Sequence, residues 1–360
     1  MNVLAALLVL GLLIVIHEAG HFLAARVQGI RVNGFSIGFG PALWKLERGG
    51  VTYALRALPL GGFVSFPDDE EDSPIPADDP DLLRNRPIPQ RALVISAGVL
   101  ANLLLAWVVL VGHTALAGVP GDPDPGVMVM AVQQGEPAEI AGLQAGDQIL
   151  SIEGLPLGRG EKAVKEAVTP VRDSPSKALS LEVQRNGLVR VIQLTPEDHQ
   201  GQGRIGAQLQ ANFSGTTRAV TGLGEAIASG SEQFGGLLQR TVAGYGALFT
   251  DFGTTAQQVS GPVKIVEMGA QLSRQGGSGL VLFMTLISIN LAVLNALPLP
   301  LLDGGQMALL LIEGVRGKPV PERLQLAFAQ SGFLLLVGLT LVLVVRDTSQ
   351  LTFVQQLLGR

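Results

Sequence analysis

The 360 residues include no cysteine, so disulfides and thiolate metal ligands are excluded, and any bound metal must be held by His, Asp or Glu. Charge is scarce as well. Charged residues make up 15% of the chain, and its 25 Lys and Arg are outnumbered by 30 Asp and Glu, for a net charge of -5. Without a basic excess the chain cannot neutralise a phosphate backbone, and no nucleic-acid partner is expected. Aromatic residues are few, at 5%. Aliphatic residues fill the space: 47% of the chain is hydrophobic and mean hydropathy is +0.39, which points to membrane spans.

Four runs are long and apolar enough to cross a bilayer as helices: residues 1–25, 92–118, 280–303 and 324–345. Arg26, Arg31, Arg84, Arg86 and Arg91 fall in the loop 26–91, and Arg316, Lys318 and Arg323 lie in or beside the loop 304–323. Both loops are therefore expected on the cytoplasmic side, which leaves the N-terminus, the long insert and the tail outside; Arg346, beside the fourth run, is the one dissent. The first run has no basic segment ahead of it and no cleavage-like site after it, so it reads as a retained helix.

The insert opens on the linker Val119 to Pro125 and then alternates short β-like runs with turns. Val127 to Val132, Gln148 to Ile152, Leu179 to Val183 and Val189 to Leu194 read as strands, and Glu161 to Val168 as a short helix, which predicts a β-rich domain over 122–208. Residues 209–279 follow. Within them Gly224 to Phe252 has apolar residues at helical spacing, fitting an amphipathic helix on the outer membrane surface or one packed on the soluble domain. Between the first two runs, Val32 to Phe66 is punctuated by glycines and predicts a β-hairpin, followed by a solvated acidic loop, Asp68 to Asp81.

The chemistry concentrates in two places. His17 and His21 stand four residues apart, so both imidazoles share one helix face and can bind one zinc ion, with Glu18 on the neighbouring arc as general base. His17 lies roughly 22 Å along a helix begun at Asn2, inside a hydrocarbon layer of about 30 Å, where polar side chains are costly unless they serve a site. A third ligand is needed. Asp303, after Pro298 and Pro300, would alone read as a capping carboxylate, but beside the His pair it is the best candidate. Asn295 could pair with neighbouring helices or hold substrate backbone. Asn102 reads as a helix-packing residue and His113 as an interfacial one.

His17-Glu18-Ala19-Gly20-His21, the run Asn295 to Gly304, the glycine-rich Phe35 to Pro41, Ser260 to Val263 and the stretch Gly135 to Gly154 together resemble the bacterial site-2 protease family, of the regulator-of-sigma-E type. That resemblance implies an α-helical polytopic membrane protein of four transmembrane helices, with a membrane-associated β-hairpin and an inserted extracytoplasmic PDZ-like domain that binds extended peptides. It implies an intramembrane metallopeptidase with Zn2+ held by His17, His21 and Asp303, with Glu18 catalytic, and with Asn295, Pro298, Gly38 and Gly40 contacting substrate. Its partners would be the lipid bilayer and transmembrane protein substrates of the anti-sigma-factor type. It would sit as a multi-pass protein in the inner (plasma) membrane, with its zinc site toward the cytoplasm. Two departures from the family pattern are Val99, where proline is usual, and Gln306, where histidine is common. The alternatives from other classes are a non-proteolytic membrane PDZ scaffold and a transporter; four spans without an inverted repeat speak against the latter.

Overall fold

A computed structural model describes residues 2–69, 75–133, 135–199, 201–213, 217–250, 261–274 and 276–349. It divides the chain into two compact units, Met1–Thr114 with Leu223–Arg360, and Ala115–Gly222. The first unit opens with α1 (Asn2–Val27), the strands β1 (Gly34–Arg48) and β2 (Val51–Ser65), and α2 (Ile88–Ala117). The second unit adds β3 (Val119–Pro120), β4 (Val127–Val132), α3 (Pro137–Ile140), β5 (Gln148–Ile152), β6 (Leu155–Pro156) and α4 (Gly160–Arg172). It continues through β7 (Leu179–Arg185), β8 (Leu188–Leu194), β9 (Glu197–His199), β10 (Gln202–Arg204), β11 (Ala207–Ala211) and β12 (Thr217–Arg218). The chain then returns to the first unit in α5 (Leu223–Thr250), α6 (Pro262–Ser273), α7 (Gly277–Ala296), α8 (Asp303–Arg316) and α9 (Glu322–Ser349).

Among the described residues four helices are long and apolar enough to cross a membrane: α1, α2, α7 and residues 322–346 of α9. Leu4, Leu8, Leu104 and Leu334 are exposed on them, a surface suited to hydrocarbon. The third of these helices ends at Ala296, short of the predicted limit at 303. Leu297 precedes Pro298 and is extended, at φ -67° and ψ 142°, because the proline ring disfavours helical backbone in the residue before it. The predicted loop 304–323 is largely the helix α8, closed by Gly317 in the left-handed region at φ 67°.

Ala6, Val9 and Leu13 of α1 pack against Phe283 of α7, with Ile265 and Met268 of α6 around them. The amphipathic stretch is helical as α5, while Asp251, Phe252 and Ser260 lie outside the described residues. Trp107 of α2 donates its indole N–H to Ser231 Oγ at 2.9 Å, and Tyr245 donates to Asn290 Oδ1 of α7 at 3.4 Å. This segment, read from sequence as an outer-surface region, thus packs along the bundle over part of its length.

The hairpin folds back on itself. Trp44–Arg48 pair with Val51–Leu55 across Gly49 and Gly50, which have φ of 59° and 75°, as a tight primed turn requires. Gly34–Ile37 lies between Thr52–Leu55 and Gly62–Ser65. Phe22 of α1 meets Phe35 and Tyr53 edge-on at 5.4 and 5.9 Å, over a core of Ala25, Ile30, Val32, Val51 and Val94.

In the second unit one sheet runs in the order β11-β4-β5-β7-β8, with β6 against β5. Alternation along β4 and β7 turns Val127, Val129, Leu181 and Val183 inward, onto Ala163, Ala167 and Val171 of α4. β12 pairs with β3 in a separate two-stranded sheet, and the unit spans Ala115–Gly222 where 122–208 was predicted. Asp147, 1% exposed, takes two 2.6 Å hydrogen bonds from Arg185, joining the turn before β5 to the end of β7. Burial pushes this carboxyl up, but the Arg185 guanidinium and the Gln144 backbone N–H outweigh it and hold the group below the usual carboxylate range. A depressed native value means that the stabilisation is complete above the unfolded carboxylate range, near pH 4, and is lost as pH falls through the native value. Asp147→Ala should destabilise this unit at neutral pH by about 3 kcal/mol, read as faster hydrogen exchange in β5 and β7; unchanged exchange would overturn the assignment.

Candidate metal centre

On α1 the buried residues Leu13 and His17 continue the stripe that faces the bundle, and the four-residue spacing carries His21 onto the same side. Opposite them α2 presents Val94, Gly98, Asn102, Ala106, Leu110 and Thr114, one buried residue in every four. Gly98 is the gap in that ridge. A Cβ there would strike His21 Nε2 and stand 2.7 Å from His17 Cε1, so both rings lie against bare backbone. Gly20 lets α1 approach Ala97 of α2 in the same way.

Asp303 arrives from the other side, in the first turn of α8. The segment that carries it is tightly folded: Leu301 has φ of 68°, and Cβ atoms on Gly304 or Gly305 would collide with the carbonyl oxygens of Leu297 and Leu299. Arg91 of α2 donates to Glu313 Oε1 at 2.7 Å and so anchors the far part of α8.

Among the described residues, His17, His21 and Asp303 form a group whose ligand atoms all lie within 4.8 Å of one another. His17 Nε2 and His21 Nε2 are 3.3 Å apart, and each is 3.3 Å from Asp303 Oδ2. Tetrahedral ligands at Zn–N and Zn–O lengths of about 2.0–2.1 Å stand about 3.3–3.4 Å from one another, so this triangle fits three corners of a zinc site. Asp303 Oδ2 is buried and has no hydrogen bond, an orphan acceptor that a cation would satisfy. His21 Nδ1 is 2.8 Å from the Val94 carbonyl, which must receive a proton there and so leaves Nε2 its lone pair.

Glu18 directly follows His17 on α1, with its side chain on the neighbouring arc of the helix, toward β2. Its Cγ lies against Gly62. Of the other residues singled out from sequence, Gly38 and Gly40 are bends of the hairpin at φ 88° and 81°, and the Gly40 carbonyl accepts from Arg56 at 2.9 Å. Asn295 is half-buried in the last turn of α7, and Pro298 is exposed in the segment leading to Asp303. His113 Nε2 lies 3.1 Å from Ser278 Oγ. Gly98, beside both rings, was not singled out from sequence; its four-residue spacing with Val94 and Asn102 on α2 is the signal that places it on the face toward α1. Gly98→Ala should lower zinc content several-fold, whereas Gly112→Ala on the same helix, with open space around it, should leave zinc unchanged; equal zinc in both variants would refute the close approach.

Comparison with known proteins identifies the family. The model of Peptidase family M50 matches residues 5–339. A homologue from Nostoc sp. named zinc metalloprotease all3971 is 48% identical over 98% of this chain and 97% of its own length. Membrane metalloprotease ARASP of Arabidopsis thaliana is 42% identical, covering 99% and 81%, and the regulator of sigma-E protease RseP of Salmonella typhimurium is 30% identical, covering 97% and 99%. Among solved structures, the PDZ domain of an SdrC-like protein from Listeria monocytogenes matches 23% of this chain and 86% of its own at 24% identity, with a TM-score of 0.21. The chain therefore belongs to peptidase family M50, the site-2 protease family, and is a zinc metalloprotease.

Proposed function

We propose that this enzyme cuts a peptide bond of a single-span membrane protein within or at the edge of the bilayer, with zinc on His17, His21 and Asp303 and Glu18 as general base. The observation that carries the reading is the 3.3 Å triangle of His17 Nε2, His21 Nε2 and Asp303 Oδ2, with Glu18 next to His17 on α1 and its Cγ against Gly62 of β2. Bound zinc supplies Lewis acidity for attack of water on a peptide carbonyl. Glu18 takes the proton of that water on a carboxylate oxygen and passes it to the leaving amide nitrogen. Gly62–Ser65 has Gly34–Ile37 as its sheet partner on one side, while Gly62 lies against Glu18 Cγ. An extended substrate segment added to this strand lays its backbone across the carboxylate, and a helical segment is excluded because its peptide groups are engaged in their own hydrogen bonds.

Gly38 and Gly40 shape the hairpin that presents this strand, and Asn295 and Pro298 border the approach from α7. The substrate class is that of an anti-sigma factor already shortened by another protease. The enzyme sits in the inner (plasma) membrane with the zinc site toward the cytoplasm, as the Arg-rich segments at 26–91 support, and with residues 115–222 outside as a PDZ-like module. A non-proteolytic scaffold would have no use for a carboxylate kept beside three metal-ligating atoms.

Glu18→Gln should retain zinc and lower turnover by about 10²–10⁴-fold, because it removes the base and leaves the ligands. Asp303→Ala should lose zinc and activity together. Stoichiometric zinc with undiminished cleavage in the Glu18 variant would sink the mechanism. For topology, tags at Pro76 and Gly317 should be reached from the cytoplasm and a tag at Gly187 from outside; a cytoplasmic Gly187 would invert the site and exclude release of a cytoplasmic fragment.

A further inference from the structure

Asn102 is 0% exposed, in the middle of α2, and its backbone carbonyl accepts from Ser288 Oγ of α7 at 2.8 Å. Its side-chain nitrogen stands 3.3 Å from His17 Nδ1, while its side-chain oxygen is buried with no partner. The ring nitrogen on the other side of that imidazole, Nε2, is the one in the ligand triangle. A neutral imidazole carries one proton. For Nε2 to offer a lone pair to a metal the proton must be on Nδ1, and Nδ1–H then needs an acceptor in front of it. An amide nitrogen is no acceptor. A half-turn of the Asn102 amide about its last torsion exchanges its two ends and brings the orphan oxygen to Nδ1, with no change in the volume the side chain fills.

His21 has the corresponding arrangement: its Nδ1 faces the Val94 carbonyl, two turns away from Asn102 on the same ridge of α2, with Gly98 between them. One helix thus brackets both rings. We propose, resting on the metal site above, that Asn102 is a positioning residue for zinc: its side-chain oxygen accepts the Nδ1 proton of His17 and commits Nε2 to the metal. Packing alone would call for an apolar residue at this buried place, since an amide there is costly unless hydrogen-bonded.

The test compares Asn102→Leu, of similar bulk with no acceptor, and Asn102→Asp, which keeps an acceptor in the same place. Zinc affinity is measured by chelator competition on full-length protein in detergent, and thermal unfolding is measured on the metal-free forms. Asn102→Leu should bind zinc about 10–100-fold more weakly with unchanged metal-free unfolding, and Asn102→Asp should restore binding to near the parent. Nitrogen-15 spectra of histidine-labelled, metal-free protein should show His17 protonated on Nδ1 in the parent and redistributed toward Nε2 in Asn102→Leu. Parent-like zinc affinity in Asn102→Leu, or an Nε2-protonated His17 in the parent, would overturn the proposal; so would equal zinc loss in both variants. If Asn102→Leu does not fold, the histidine spectrum of the parent decides alone. Failure of the metal site itself is distinguishable, since the parent would then bind no zinc.

Discussion

Three polar atoms must stand 3.3 Å apart in a bundle whose surroundings are mostly aliphatic, and much of the first unit answers to that requirement. Two imidazoles and a carboxylate desolvated together are costly, and the cost is offset only when a cation satisfies all three. Helix α1 supplies two of the atoms by its periodicity alone. The third comes from a distant part of the chain, so its position rests on tertiary contacts: the folded segment before α8, the glycines packed onto it, and the Arg91–Glu313 pair.

The same constraint explains the two irregularities of backbone near the site. A straight continuation of α7 beyond Ala296 would leave Asp303 on a helix surface fixed by the α7 axis. Two prolines stop that helix and let a new one start at Asp303, with Leu301 held in the left-handed region as the local cost of the turn. The hairpin solves a different problem. A protease needs an extended substrate, and unpaired strand backbone is tolerated in apolar surroundings only where protein covers it. Seating Gly34–Ile37 between two other strand segments satisfies the inner backbone and sets Gly62 against Glu18.

The sequence was most legible where period and chemistry coincide. His17 and His21 share a face because four residues make about one helical turn, and Asp303 stood out because carboxylates near lipid are rare. Four strands of the second unit, β4, β5, β7 and β8, were placed nearly to the residue, since alternation of Val and Leu with polar residues has one period and one core to face, while the shorter strands β3, β6 and β9–β12 were not read. Boundaries set by tertiary contact were less legible. Residues 304–323 read as a loop between two apolar runs, yet most of them form α8, where Gly304 and Gly305 pack against backbone. The helix limit at 303 followed apolarity past two prolines that local conformation obeys. Asn102 read as a packing residue because its partner, His17, lies on another helix, and nothing in α2 alone marks that pairing.

With zinc on His17, His21 and Asp303 as proposed, helix packing and metal binding become one property. Gly98 admits the rings only while α1 and α2 stay in contact, and that contact in turn aligns Val94 and Asn102 with the outer nitrogens of the same rings. Loss of the cation leaves Asp303 Oδ2 buried without a partner, which favours any movement that lets water reach it. In the proposed site, binding energy at the ligands would be spent partly on holding three helices together, as expected where a metal site joins segments far apart in sequence. A substitution that loosens the α1–α2 contact weakens metal binding without touching a ligand, and one that removes a ligand loosens the contact without touching its packing.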